Sequence, residues 1–352
     1  MVIFKINNLN VISKIILSLL SNTSIPAKIV EAIAYSCQFI AKTKEIRLLK
    51  ISREIKEIMK YYKRLQRIKD KKREEYAEKI EEIMIENLIT IKNQKIREVY
   101  MVIDPTSFAR KKSRKTEWIG EVYDDEGGVV KGVRIANIVL VIKRKDGKWI
   151  KFSCGYVDIT NKQLDKSGKT QNQALMEKIE EVYTKVLINV WNGEVILIGD
   201  TDIGNSEIIK YLEKIGVKYI LEKKVKGGKK IVNNIGIGEE EARKIYRKIK
   251  NKVEEMNSIY KSKGIDFRRE RFLKYSYFKL YLAMVMLIWY VIMLLVYYGV
   301  GRISRGDSRW KCLSEEIRIY ERIRGVGWVD KLWIEKIIET TNQIMRDIRE
   351  VM

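Results

Sequence analysis

EVILIGDTDIGNSEIIKYLEKIGVKYILEKK, residues 194–224, reads as strand, helix and strand in close succession. The apolar run 194–199 is short and ends at Asp200, the pattern of a buried strand closed by a loop. Residues 205–215 repeat at helical spacing, and VKYIL (217–221) is a second buried strand. Upstream, VYMVI (99–103) is another short apolar run, stopped at Asp104-Pro105 by turn-forming residues. Between these blocks, RIANIVLVIK (134–143), a turn at 145–148 and WIKFSCGYV (149–157) make a hairpin, and 171–189 is helical. Residues 239–260 form a long charged helix. Strands first, then strands alternating with helices, describe a mixed α/β layer domain.

Outward from this block the pattern is helical. In residues 1–98, Ser24 before Ile25-Pro26 has the form of an N-cap with proline in the first turn, opening a helix through about Ile40. From 44 to 93, Ile46, Leu49, Ile55, Ile58, Met59, Tyr62 and Leu65, and later Tyr76, Ile80, Ile83 and Leu88, recur at three- and four-residue steps among charges. The segment 56–73 is strongly basic, which suits either a DNA backbone or a solvated helical face. Residues 302–352 are helical again, with a break at 325–327. The expected organisation is a helical DNA-binding region over 1–98, an α/β catalytic domain over 99–301 and C-terminal helices over 302–352.

Composition narrows the chemistry. Among 352 residues, 70 Lys+Arg against 46 Asp+Glu give a net charge of +24, and there is no histidine. That excludes Ser-His-Asp triads, Cys-His dyads and His-ligated zinc, so acid/base or metal chemistry falls to carboxylates. Cys37, Cys154 and Cys312 are too widely spaced for a metal knuckle, and an odd number argues against a secreted disulfide framework, so a cytoplasmic setting is expected. The surplus charge implies a polyanionic partner: nucleic acid first, an anionic membrane surface second. The uncharged run 280–301 is long enough to span a bilayer, yet it carries aromatics in its middle, and a core helix of a large domain is apolar all round too.

Asp104 and Asp200 share a context, each closing an apolar strand before a loop. Acids at the carboxyl ends of neighbouring strands converge on the rim where open α/β sheets bind ligands. There they offer the hard oxygen ligands that Mg²⁺ prefers, and a third carboxylate from a helix completes a site for phosphodiester chemistry. The plainer alternative is that they only cap turns.

VYMVIDPTSF (99–108), followed about a hundred residues later by 194–224, resembles the insertion-sequence DDE transposases of the cut-and-paste kind, a branch of the RNase H-like superfamily. The similarity spans roughly residues 98–300. In that family the first aspartate closes a central strand and is followed by a small hydroxylated residue, as Thr106 is here. The second closes a strand before a short turn, a helix with a hydrophobic pair, a glycine and another strand; Asp200, Ile208-Ile209, Leu212, Gly216 and 217–221 follow that order. The family's Y-x2-R-x3-E-x6-K signature is similar to Lys250-x3-Glu254-x6-Lys261, with Val253 before the acid, although Tyr246 is one residue out of step and arginine is replaced by Lys250. The resemblance therefore implies an RNase H-like mixed sheet flanked by helices, with Asp104, Asp200 and Glu254 holding Mg²⁺ or Mn²⁺, and Glu255, Asp266 and Glu270 as rivals for the third acid. Lys250 and Lys261 would contact phosphate. It implies cleavage and strand transfer on double-stranded DNA, at the element's own terminal repeats and at target sites, by a homodimer.

Two further features suit that chemistry. Arg110, Lys111, Lys112, Arg114 and Lys115 follow Asp104 in a polar loop suited to DNA phosphates. Trp118 and Trp149 suit either base stacking or core packing. The competing expectation is a non-catalytic, membrane-anchored nucleic-acid-binding protein in which 280–301 spans the bilayer.

Overall fold

The computed structural model describes residues 10–88, 96–110, 116, 118–123, 128–191, 193–258, 272, 274–298, 319 and 331–351. Lys111, Lys112, Arg114, Lys115, Lys261, Asp266 and Glu270 lie outside them. The chain forms two compact units, one of helices (Met1–Thr90, Ser262–Glu270 and Ser276–Met352) and one built on a sheet (Ile91–Lys261 and Arg271–Tyr275). This division differs from the expected one, because 276–301 belongs with the N-terminal helices and not with the sheet.

The helical unit contains α1 (Val11–Leu20), α2 (Ala27–Thr43), α3 (Leu48–Glu54), α4 (Ile58–Gln66), α5 (Asp70–Glu86), α10 (Tyr275–Tyr297, within this unit from Ser276) and α11 (Lys331–Val351). Ser24 does not cap α2. That helix begins after Pro26 with no side-chain cap. The N-terminus of α1 is instead satisfied from α2: the buried Gln38 Oε1 accepts from the backbone N–H groups of Ile12 (3.1 Å) and Ser13 (3.2 Å), which removes two of the orphan donors at a helix start. The apolar run read from the sequence is α10, and every residue from Leu280 to Tyr297 is buried. Packing thus takes up its apolar surface on all sides. Arg73 fixes its first turn, donating to Ser276 Oγ (3.3 Å) and Tyr277 Oη (2.7 Å) and also to the carbonyls of Leu65 and Gln66.

The second unit is a seven-stranded mixed sheet. Its strands are β1 (Ile96–Ala109), β2 (Gly120–Tyr123), β3 (Val129–Arg144), β4 (Trp149–Asp158), β5 (Val195–Gly199), β6 (Lys218–Val225) and β7 (Gly228–Asn233), with helices α6 (Asn161–Ser167), α7 (Gln171–Asn189), α8 (Ser206–Lys214) and α9 (Glu239–Ser258). The order is β2-β3-β1-β5-β6-β7, and β4 also pairs with β3. β3 is antiparallel to β1, β2 and β4; β1, β5 and β6 run parallel; β7 returns antiparallel to β6. The mixed α/β architecture expected from the sequence is therefore present.

One strand boundary is corrected. β1 does not stop at Asp104-Pro105 but continues to Ala109, pairing with β3 down to Ala109↔Gly132. The 16-residue β3 offers a partner along this whole length, and proline is tolerated because the rungs to β5 end at Ile103↔Gly199, so no bond to that neighbour is lost. α8 opens where Asn205 Oδ1 accepts from the N–H groups of Glu207 and Ile208, both at 3.1 Å, the capping expected at such a start.

Candidate active site

The register of the parallel strands builds the site. Ile103 pairs with Gly199, and Gly199 with Leu221. The next residues, Asp104 within β1, Asp200 just past β5 and Glu222 within β6, stand at one level on three adjacent strands, and residues on one rung of a parallel sheet project to the same face. All three acids line a single pocket of about 470 Å³.

The opposite wall is α9. Ala242, Tyr246, Ile249 and Val253 are buried, a spacing of four, three and four residues that forms one helical stripe packed on the sheet. One residue further on, Arg243, Arg247, Lys250 and Glu254 repeat that spacing as a parallel stripe and line the pocket. Glu254 therefore shares the pocket with Asp104 and Asp200, while Val253 beside it is fully buried. The side chain of Glu255 lies outside the described ones. Tyr246, one residue out of step with the family signature, lines the pocket too, because positions three and four residues apart share a helix face.

Lys250 Nζ forms an ion pair with Asp104 Oδ1, with the two side chains only 13% and 10% exposed. Burial pushes the Asp200 carboxyl up to about 6; the Lys250 charge opposes this, whereas the neighbouring Asp202 and Asp104 charges add to it. Asp200 Oδ1 accepts from the Asp202 N–H at 3.0 Å. Its carbonyl accepts from Ile203 (3.0 Å) and Gly204 (2.8 Å), so the loop after β5 folds back tightly on the acid. Gly204 is required there: a Cβ would collide with the Glu222 carbonyl. The Tyr246 hydroxyl is held protonated, first by burial and then by the charges of Glu222, Asp200, Asp104 and Glu254.

The rim is cationic. Lys229 and Lys230 come from the start of β7, and Arg243, Arg247 and Lys250 from α9. Lys229 pairs with Glu222 at 2.7 Å. Sequence reading overlooked Glu222, Lys229, Lys230, Arg243 and Arg247. The available signal was the third apolar strand ending in an acid, VKYILE, at the same rung as the first two.

Three other expected residues lie elsewhere. Arg110 does not line the pocket; it is buried at the far end of β1, its backbone N–H donates to the Lys131 carbonyl at 2.6 Å, and its guanidinium lies 5.9 Å from the Phe272 ring centroid. Trp118 packs on Tyr275 at 5.5 Å. Trp149 lies 6.1 Å from Tyr100 and has Lys143 and Lys248 over its ring at 5.4 and 5.2 Å, so both tryptophans serve packing here.

The donor chemistry fits a hard divalent cation, since Asp104, Asp200 and Glu254 all supply oxygen on one pocket. The arrangement shown is nevertheless lysine-paired: among the described residues no three acids cluster closely enough to hold an ion. No protein-family model matches this chain, and no curated protein matches it.

Proposed function

We propose that this chain is a DDE transposase with an RNase H-like catalytic domain, acting on double-stranded DNA at its element's terminal repeats and at target sites. The observation that carries the reading is the convergence of Asp104, Asp200 and Glu254 on one pocket, from two adjacent strands and a helix crossing the sheet. The strand order supports it as well: an antiparallel half, β4-β3-β1, joins a parallel half, β1-β5-β6, at the strand bearing the first aspartate, the arrangement expected of an RNase H-like sheet.

Asp104, Asp200 and Glu254 would hold Mg²⁺ or Mn²⁺, which when bound supplies an activated water or hydroxyl and stabilises the leaving oxygen. The chain's own side chains do the rest. Lys229, Lys230, Arg243 and Arg247 bind backbone phosphates and set the strand across the acids. Tyr246 stays a neutral phenol on the pocket wall, and Lys250 balances the negative charge of the two aspartates. With no histidine in the chain, no imidazole competes for the proton-transfer role.

The further attributes of the reading are a homodimeric active complex and a cytoplasmic location. The membrane-anchor alternative is disfavoured by the burial of Leu280–Tyr297, the apolar length of α10, among protein side chains. Metal-dependent nicking of supercoiled DNA, with Asp200→Asn as control, tests the assignment.

A further inference from the structure

We infer that Lys250 is a displaceable internal cation that couples divalent-ion binding to phosphate binding in the pocket, a conclusion that rests on the carboxylate site proposed above. Lys250 sits on Asp104 Oδ1 and its charge also acts on Asp200. Two adjacent carboxylates, one of them deeply buried, need a compensating positive charge, and in this arrangement the ammonium supplies it. A divalent cation placed on the same oxygens would meet that ammonium at close range, and the two cations repel while competing for the same lone pairs. The ion therefore binds only as Lys250 leaves Asp104.

Leaving is unfavourable without another anion, because the lysine side chain is 13% exposed and would give up its partner in a poorly solvated site. Glu254 would be taken up by the same ion and Glu222 is paired with Lys229, so the destination is an incoming phosphate. The pocket rim is lined by Lys230, Arg243 and Arg247, positions at which a phosphate chain is attracted. A phosphate held there accepts Lys250, one turn of α9 away from Glu254. Phosphate binding thus releases Asp104 for the cation, and by linkage the cation must strengthen phosphate binding by the same factor. Lys250 is a positioning residue in this scheme, acting through Asp104.

The experiment is a Mn²⁺ titration of the full chain, followed by electron paramagnetic resonance, with and without a duplex oligonucleotide and corrected for Mn²⁺ bound by the oligonucleotide alone. In the wild-type protein the oligonucleotide should tighten the Asp200-dependent Mn²⁺ site roughly tenfold, within the ordinary range of coupling between sites. In Lys250→Met the site should already be tight without oligonucleotide and gain nothing on its addition. Lys250→Arg should bind Mn²⁺ more weakly and depend more on oligonucleotide, since a guanidinium forks onto a carboxylate; it carries the test alone if the methionine variant does not fold. Mn²⁺ binding that is the same in Lys250→Met and Lys250→Arg as in wild type, with the same oligonucleotide dependence, overturns the inference and leaves the site reading standing. Mn²⁺ binding that Asp200→Asn does not change, in any of these proteins, overturns the site reading itself and the inference with it.

Discussion

Ile103 and Gly199 form the last rung between β1 and β5, so Asp104 and Asp200 follow it on neighbouring strands at the same height and on the same face. This one register relation brings together residues almost a hundred positions apart. It also sets the electrostatic cost of the site, because Asp200 is half-buried beside other acids and desolvation raises its carboxyl from 3.8 to about 6.

A raised carboxylate opposes folding when ionised. Its stabilising contribution is full below the unfolded value near 4 and is lost as pH rises through about 6. At pH 7, without divalent ions, Asp200→Asn should therefore raise stability, by on the order of 3 kcal/mol given ~1.4 kcal/mol per pH unit of displacement. Near pH 4 the gain should vanish, because the wild-type acid is then protonated in the folded state. Thermal unfolding of both proteins from pH 4 to 8 measures this; equal stability of the two at pH 7 would contradict it.

The cationic rim predicts a salt signature. Each phosphate contact contributes about −0.9 to the slope of log affinity against log salt. Lys229→Gln/Lys230→Gln and Arg243→Gln/Arg247→Gln should each make the slope of duplex-DNA binding shallower by about 2. Lys210→Gln/Lys214→Gln, on the exposed face of α8 away from the pocket, should not. Anisotropy titrations across a salt series decide the matter, and three equal slopes would remove the rim from the DNA path.

In the helical unit, Arg73 is the residue on which α10 depends most directly. Its guanidinium lies 3.7 Å from the Tyr277 ring centroid and it pairs with Asp70 at 2.5 Å, with its side chain 4% exposed. Arg73→Met removes the charged donor to Asp70, to Tyr277 and to the Leu65 and Gln66 carbonyls from a buried position, and should cost about 3 kcal/mol. Urea unfolding followed by Trp fluorescence measures it. A loss under 0.5 kcal/mol would mean that packing alone holds α10.

The parts of the fold legible in sequence were those with strong local signals. VYMVI, EVILIG and VKYIL read as buried strands because each is a short, mostly apolar run, and 205–215 as a helix because its apolar residues recur at helical spacing. β7 escaped notice because GKKIVN begins with glycine and two lysines, the look of a loop; only pairing with β6 makes it a strand. β1 was cut short at Pro105 because the length of its partner β3 is not a local property. In the site, Asp104, Asp200 and Glu254 were found by pattern, whereas Glu222 looked like the first charge of a polar tail. The Lys250–Asp104 pair spans 146 residues and depends on where α9 crosses the sheet, which spacing alone does not encode.

The loop after β5 gives a test of packing at the site. Gly204→Ala places a methyl group against the Glu222 carbonyl. Either the loop or β6 must shift, which should cost roughly 1–3 kcal/mol and weaken Mn²⁺ binding at Asp200. Serine at the same position should behave like alanine. Stability and Mn²⁺ affinity unchanged in Gly204→Ala would show that the loop has slack the structure does not display.

The central claim is that Asp104, Asp200 and Glu254 act together on a phosphodiester. The measurement that tests it most directly is nicking of supercoiled plasmid by the full chain with Mg²⁺ or Mn²⁺, compared with Asp104→Asn, Asp200→Asn, Glu254→Gln, Glu222→Gln and Glu255→Gln. Wild type should nick only with the ion present, the two Asn variants and Glu254→Gln should lose activity by several orders of magnitude while still binding DNA, and Glu255→Gln should remain close to wild type. Loss in Glu222→Gln with activity retained in Glu254→Gln would move the third acid from α9 to β6. Nicking by Asp200→Asn at the wild-type rate, or no nicking by wild type with either ion, would contradict the account.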